Sequence, residues 1–215
     1  MGIFDFLKSE KKTTYTICIN REYGSGGSEI ARMISKKLSI PLYDEKTIEL
    51  KSLESGFDQD ILKGEEIMPK DTIYDLYMEN KSINKEDLFS NEAAFLSQSK
   101  AIRHLASMGP CIFLEKCASY VLKDQENILK IFIHAPYEFR RKRAMQVHKD
   151  TNENVDARIK KYDSRRRNFY NKNTKKEWQD AMEYDISIDA SIFSLSEVAE
   201  IIADIVRIKE SEDLL

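Results

Sequence analysis

The sequence predicts an α/β fold in which a parallel sheet is covered by helices on both faces. Short β-branched and apolar runs alternate with stretches of helical periodicity along the chain, the pattern left by parallel strands joined through crossover helices. The first of these runs feeds directly into a glycine-serine turn, Tyr23-Gly24-Ser25-Gly26-Gly27-Ser28, and a helical pattern starts at once behind it. With 215 residues, 41% hydrophobic and 33% charged, the chain has the size and composition of one globular domain with room for a small insert.

Each element has its own warrant. Residues 15–20 form a β-branched, apolar run that reads as a buried strand. From Ser28 to Leu38 the apolar positions Ile30, Ala31, Ile34 and Leu38 recur at helical spacing. Ile40-Pro41-Leu42-Tyr43-Asp44 is a short connection that ends in a helix-capping type of residue. The following segment is mostly helical, broken near Gly56, Gly64 and Met68-Pro69, and a further helix over residues 91–107 stops at the breaker pair Gly109-Pro110. Residues 111–114 and 127–134 are apolar strands. Pro136 opens a helix that carries Arg140, Arg141 and Arg143, since proline is tolerated at a first helical position. Residues 152–170 form a long basic helix, residues 184–189 a last strand, and residues 195–208 a closing amphipathic helix.

Charge is segregated. Residues 44–92 hold 6 Lys and Arg against 14 Asp and Glu, residues 130–176 hold 15 against 5, and residues 177–215 hold 2 against 11. The basic block lies inside the chain between acidic segments and has few interleaved aromatics, so it belongs to a folded site and not to a nucleic-acid-binding tail. No run approaches the roughly 18 apolar residues of a membrane span. The arm over residues 1–12 begins amphipathically but is too short and too acidic for a secretory signal. The cysteines, Cys18, Cys111 and Cys117, are odd in number and two lie in apolar strand-like runs, which suits reduced thiols in a cytoplasm. Their spacing to His104, His134 and His148 matches no zinc site, and the histidines read as packed or surface residues.

The strand–turn–helix order from Ile17 to Ala31 builds a phosphate cradle. Glycines let the backbone come close, its N–H groups point inward, and the helix start adds a positive dipole end. Against the P-loop pattern G-x-x-x-x-G-K-[ST], Gly26 and Ser28 fill the last glycine and the hydroxyl position. Arg21 then stands at the first glycine and Gly27 at the lysine. Gly24, Ser25, Gly26, Gly27 and Ser28 are therefore candidate nucleotide-phosphate ligands, and the Ser28 hydroxyl is a candidate ligand for Mg²⁺. The missing ammonium must be replaced by another cation: Arg21 at the loop entrance, or an arginine from the basic helix.

Taken with Pro41-Leu42-Tyr43-Asp44, Phe132-Ile133-His134-Ala135-Pro136, Phe139-Arg140-Arg141-Lys142-Arg143, Asp163-Ser164-Arg165-Arg166, Trp178 and Tyr184-Asp185, the loop resembles the cytidylate kinase-like family of nucleoside-monophosphate kinases over residues 15–208. The resemblance implies a P-loop kinase-like domain over residues 13–210, with a parallel sheet of about five strands. It also implies a helical acceptor-binding insert at 45–92, a basic lid at 150–176 and a short tail at 211–215. The implied reaction is phosphoryl transfer from ATP, with Mg²⁺, to a nucleoside monophosphate such as CMP or dCMP, so that nucleotides are the partners. Asp44, by resemblance, faces the acceptor or a metal-bound water; its residue type equally suits a helix cap. Where relatives have a glycine-arginine pair that contacts the acceptor phosphate, this chain has Glu115-Lys116. Lysine keeps the charge and loses the forked geometry, and a carboxylate facing the pocket would repel phosphate. These departures leave a second reading open, a catalytically impaired nucleotide or phosphate sensor on a kinase scaffold.

Phosphoryl transfer asks mainly for charge placed on the transferring oxygens with water excluded. Arginine forks on a closing lid meet that need. On a helix Asp163, Arg166, Arg167 and Tyr170 share one face and Arg165 points elsewhere, so Asp163 would orient Arg166 or Arg167. Arg166 and Arg140 are the leading catalytic candidates, with Asp163 and Arg167 beside them, and Lys116 is retained with Asp44 on the acceptor side. Tyr23 suits either base stacking or rim packing, and Trp178 reads as a packing anchor.

Overall fold

The computed structural model describes residues 13–54 and 91–212. Its strands are β1 (Thr16–Arg21), β2 (Leu42–Tyr43), β3 (Ile112–Leu114), β4 (Ile128–His134) and β5 (Ile186–Asp189), in the order β2-β3-β1-β4-β5 with every neighbouring pair parallel. The described helices are α1 (Gly27–Leu38), α2 (Glu45–Glu54), α3 (Asn91–Ser107), α4 (Ala118–Val121), α5 (Tyr137–Val147), α6 (Val155–Thr174) and α7 (Leu195–Glu212), with a 3₁₀ turn at Ala181–Glu183. The expected breaks near Gly56, Gly64 and Met68-Pro69, and the arm over residues 1–12, lie outside the described residues. None of the described helices is long and apolar enough to cross a membrane.

Period-two alternation in β1 explains the layers. Ile17 and Ile19 point to one face, where they join Ile112, Ile131 and Ile133 beneath Ile30 and Ile34 of α1 and Val198, Ile202 and Val206 of α7. Cys18 points to the other face with Phe113 and Phe132, under Phe95 and Ile102 of α3, Ile48 of α2, and Trp178. Each fully buried side chain of this kind contributes about 1.5–3 kcal/mol. The cysteines are free and buried, and burial raises their thiol pKa values, that of Cys111 to about 12, which keeps them protonated and unreactive.

The expected elements are found with shifted ends. The connection at residues 40–44 contains an edge strand, because Leu42 and Tyr43 pair with Ile112 and Phe113. The basic helix starts at Val155 and runs on to Thr174, where Lys175 closes it in a left-handed conformation. Pro136 sits one position earlier than expected, as the N-cap of α5.

The chain leaves β1 for the β2–β3 side and returns to β4 on the other, so the carboxyl end of β1 is the switch point where open α/β sheets bind ligands. The glycine-serine turn lies there, and a buried charge network holds it from behind. Arg140 of α5 donates to Asp163 Oδ2 at 2.6 Å and to the Tyr23 carbonyl at 3.2 Å through Nη1, and to the Ala135 carbonyl at 3.0 Å through Nε. Glu22 Oε2 lies 3.2 Å from Arg140 Nε and accepts from the Ala135 amide. Asp163 of α6 accepts from the Tyr23 amide at 2.7 Å, and the Tyr23 hydroxyl donates to the buried Asp150 at 2.9 Å. Burial, with Asp150 beside it, pushes the Tyr23 phenol up to about 12.

Removing one partner of a buried ion pair strands the others. Arg140→Ala is therefore expected to cost about 3–5 kcal/mol of folding stability. Urea denaturation measures it as a lower midpoint at unchanged slope; a loss under about 1 kcal/mol would contradict the structural role.

Candidate functional site

The turn that this network holds is shaped by glycine. Gly24 and Gly26 have φ of +80° and +92°, in the left-handed region, and a Cβ at Gly24 would stand 2.5 Å from the Arg140 carbonyl oxygen. Gly26 is the N-cap of α1 and no side chain caps that helix. In the first turn the Glu29 amide donates to the Gly26 carbonyl at 3.0 Å, which leaves the Gly27 and Ser28 amides without a side-chain cap, the usual anion-binding arrangement at a helix start. Ser25 is turned away from this cradle, its hydroxyl donating to the Glu22 carbonyl at 2.9 Å.

Gly27 is a glycine for a different reason. The Arg21 side chain runs directly over it, so a Cβ there would meet Arg21 Cβ at 2.8 Å and Cδ at 2.9 Å. At the far side Arg21 Nε donates to Ser28 Oγ at 3.0 Å, and Nη1 donates to Glu115 Oε1 at 2.9 Å. The cation missing from the P-loop lysine position is thus brought in from the end of β1. Burial lowers the Arg21 pKa to about 10, with Glu115 pulling the other way, which leaves the guanidinium charged at neutral pH.

Glu115 collects the cations of this region. It accepts from the Arg21 amide at 3.1 Å as well as from the guanidinium, and Arg166 Nε lies 3.5 Å away. Arg166 Nη1 also donates to the Arg21 carbonyl at 3.3 Å. Glu115, Lys116 and Cys117 all have positive φ, between +58° and +77°, a run of left-handed backbone without a glycine. Such conformations cost about 1–2 kcal/mol each and persist only where their surroundings enforce them.

A cleft of about 280 Å³ opens in front of the loop, lined by Arg21, Gly24, Gly26, Gly27, Ser28, Arg165, Arg166, Tyr162 and His148, among others. Tyr162 stacks on Tyr23 with ring centroids 4.7 Å apart, and Arg158 and Arg165 lie near the Tyr162 ring. A second hollow of about 150 Å³ lies deeper, between Lys116, Glu49, Arg166, Phe169 and Trp178. Glu45 and Arg165 line both hollows and form an ion pair at 2.9 Å between them. In the second hollow the Lys116 ammonium reaches Glu49 at 2.7 Å and Glu45 at 3.3 Å and stands 4.9 Å from the centre of the Phe169 ring. Asp44 caps α2, accepting from the Thr47 amide and hydroxyl at 2.9 and 2.8 Å. Burial works to raise the Asp44 pKa, but the Thr47 donors and Arg21 carry it below the ordinary value. Asp44 also faces a shallower hollow shared with Arg21, Ser28 and Arg32, so both expected roles stay open to it.

Apart from Ser25, whose hydroxyl is turned away, and Asp44 and Lys116, which line the neighbouring hollows, the site residues expected from sequence divide into three groups. Arg21, Gly24, Gly26, Gly27, Ser28 and Arg166 meet at one cleft. Arg140 and Asp163 lie behind the turn, where they hold Tyr23 and Glu22 of the cleft wall and do not line the cleft themselves. Asp163 therefore pairs first with Arg140, at 2.6 Å, and only at 3.9 Å with Arg166. Arg167 faces away and donates to Gln179 at 2.6 Å. The helical-face expectation is corrected here: Arg165, not Arg167, enters the cleft beside Arg166. Glu45, Tyr162 and His148 were not singled out from sequence. For Tyr162 the signal was its spacing with Arg165, Arg166 and Phe169 on α6, which form the helix face next to its buried stripe; Glu45 and His148 carried no such signal.

Among the described residues no cluster of His, Cys, Asp or Glu side chains could hold a metal ion by itself. Mg²⁺ is commonly bound through substrate phosphates with few protein ligands, and the Ser28 hydroxyl at the cradle mouth fits that mode.

The solved structures share this architecture. An uncharacterized protein from Eubacterium ventriosum is similar with a TM-score of 0.68 at 22% identity, over 90% of this chain and 98% of that one. A gluconokinase from Sinorhizobium meliloti gives 0.50 at 11% identity over 95% and 97%, and the Bacillus subtilis YorR protein, solved in complex with phosphorylated GDP, gives 0.50 at 13% over 91% and 98%. These likenesses establish the P-loop kinase fold. No curated protein matches the sequence. The profile of the cytidylate kinase-like family matches residues 16–192, most of the chain and all of the cleft just described, and the protein belongs to that family.

Proposed function

We propose that the protein transfers the γ-phosphoryl group of ATP, with Mg²⁺, to a nucleoside monophosphate of the CMP or dCMP type. The observation that carries this reading is the course of Arg21 over Gly27 to Ser28, which restores a cation at the lysine position of the phosphate loop. Arg165 and Arg166 of α6 face the same cleft, so cations stand on both sides of a bound polyphosphate.

The chemistry needs little from the protein beyond this. An ionised oxygen of the acceptor phosphate attacks the γ-phosphorus, the bond to the β–γ bridging oxygen breaks, and ADP leaves with that oxygen. A monophosphate is largely ionised at neutral pH, so no general base is required. Arg21 offsets charge on the donor phosphates, while Arg165 and Arg166 offset charge on the transferring group and exclude water. Mg²⁺ would supply further positive charge to the polyphosphate, and the Ser28 hydroxyl would hold it. Lys116, Asp44 and the deeper hollow between α2 and α6 serve the acceptor.

A nucleotide or phosphate sensor is the alternative, favoured by one observation: Glu115 already occupies both Arg21 and Arg166. Incubating purified protein with ATP, Mg²⁺ and CMP, dCMP, UMP, AMP and GMP separates the two. Chromatography should detect ADP and a pyrimidine nucleoside diphosphate; ATP binding without any diphosphate would favour the sensor. Arg21→Ala and Arg166→Ala should each lower kcat/KM roughly 100-fold or more, with much smaller relative losses of thermal stability. Parallel collapse of activity and melting temperature would mark them as structural.

A further inference from the structure

We infer that Glu115 makes the phosphate cradle select a polyphosphate that arrives with a divalent cation over one that arrives without. The inference rests on the reading of the cleft as an ATP site. It starts from the way the charges are already spent: Arg21 and Arg166 are both paired with Glu115, and Arg165 is paired with Glu45. Glu115 is only 7% exposed, so its charge is poorly screened by water. It lines the deeper hollow, and Arg21 links it to Ser28 in the cradle.

A polyphosphate entering the cleft must take these guanidinium groups for itself. Doing so strands the Glu115 carboxylate beside phosphate oxygens, with Glu45 close behind, and juxtaposed like charges are strongly unfavourable. A divalent cation bound with the phosphates would remove that penalty, because its charge would replace the positive charge that the arginines withdraw from Glu115 and Glu45. Binding is then an exchange of ion pairs: arginines pass from carboxylate to phosphate, and the charge of a cation brought in with the ligand would balance the carboxylates. Without that charge the exchange leaves Glu115 with the Arg21 amide as its remaining donor and no guanidinium, and the pairing with Glu115 holds the arginines back from the ligand.

The backbone supports a purpose for this side chain. Residue 115 sits at φ +77°, where glycine would be relaxed and glutamate is strained. The pairing of this carboxylate with Arg21 offsets that strain.

Calorimetric titration of ATP, in EDTA and in excess Mg²⁺, tests the idea on the intact protein and on Glu115→Gln and Glu115→Gly. The wild type should bind Mg-ATP at least about ten-fold more tightly than metal-free ATP. In both variants metal-free ATP should bind about ten-fold or more tightly than to the wild type, so that the preference shrinks or vanishes. Glu115→Gln, which keeps an oxygen for the Arg21 amide and guanidinium, should lose less stability than Glu115→Gly, which relaxes the backbone but strands Arg21 and Arg166, so that the same binding change in both variants guards against a folding defect posing as a result. A metal preference unchanged in both variants would overturn the inference and leave the ATP reading standing. So would a joint fall in melting temperature and in both affinities, which would make Glu115 structural. Wild-type protein that binds ATP in neither condition would overturn the ATP reading and the inference together.

Discussion

The course of one guanidinium group governs the site. Arg21 ends the central strand, crosses the face of Gly27 and reaches Ser28 and Glu115. Gly27 has no room for a side chain because Arg21 uses that space. The lysine of the usual phosphate loop could not stand there without displacing Arg21. Cation and glycine are thus a matched exchange: the positive charge moves from the helix start to the strand end, and the loop keeps its shape.

Two charge networks flank this crossing and perform different tasks. Behind the loop, Arg140 joins Glu22, Asp163 and the Tyr23 carbonyl in a buried cluster that ties α5 and α6 to the turn. Each charged side chain there has a partner inside the protein, which is the condition for burying charge at tolerable cost. In front, Arg21, Arg165 and Arg166 pair with Glu115 and Glu45 at the edges of open hollows. Those pairs can be broken by a ligand because the ligand supplies the compensation. The same residue types thus serve rigidity on one side of the loop and exchange on the other.

Much of the fold was legible in the sequence. Alternation of apolar strands with helical segments leads to the parallel sheet, and the glycines of the turn mark the switch point. The two-residue strand at Leu42–Tyr43 was not legible, since so short a run has no periodicity and depends on pairing with Ile112 and Phe113. In the site, Gly24 to Ser28 and Arg21 were readable because spacing along the chain sets them. The direction of each arginine was not. Residues of α6 are charged around most of the helix, so periodicity could not decide between Arg165 and Arg167; contact with the loop decides it. Glu115 was suspected of repelling phosphate, yet its pairing with Arg21 spans 94 positions of sequence and only the folded sheet brings the two together. Arg140 drew notice as a cation in a basic run, while its burial behind Tyr23 follows from the packing of α5 against the turn.

A structure determined with a bound ATP analogue and Mg²⁺ tests the central claim most directly. The account predicts phosphate oxygens within hydrogen-bond distance of the α1 amides at Gly27 and Ser28 and of the Arg21 guanidinium, with Arg166 turned from Glu115 toward the same anion. A nucleotide bound elsewhere, or phosphates in the cradle with Arg21 still held by Glu115 and out of their reach, would contradict it.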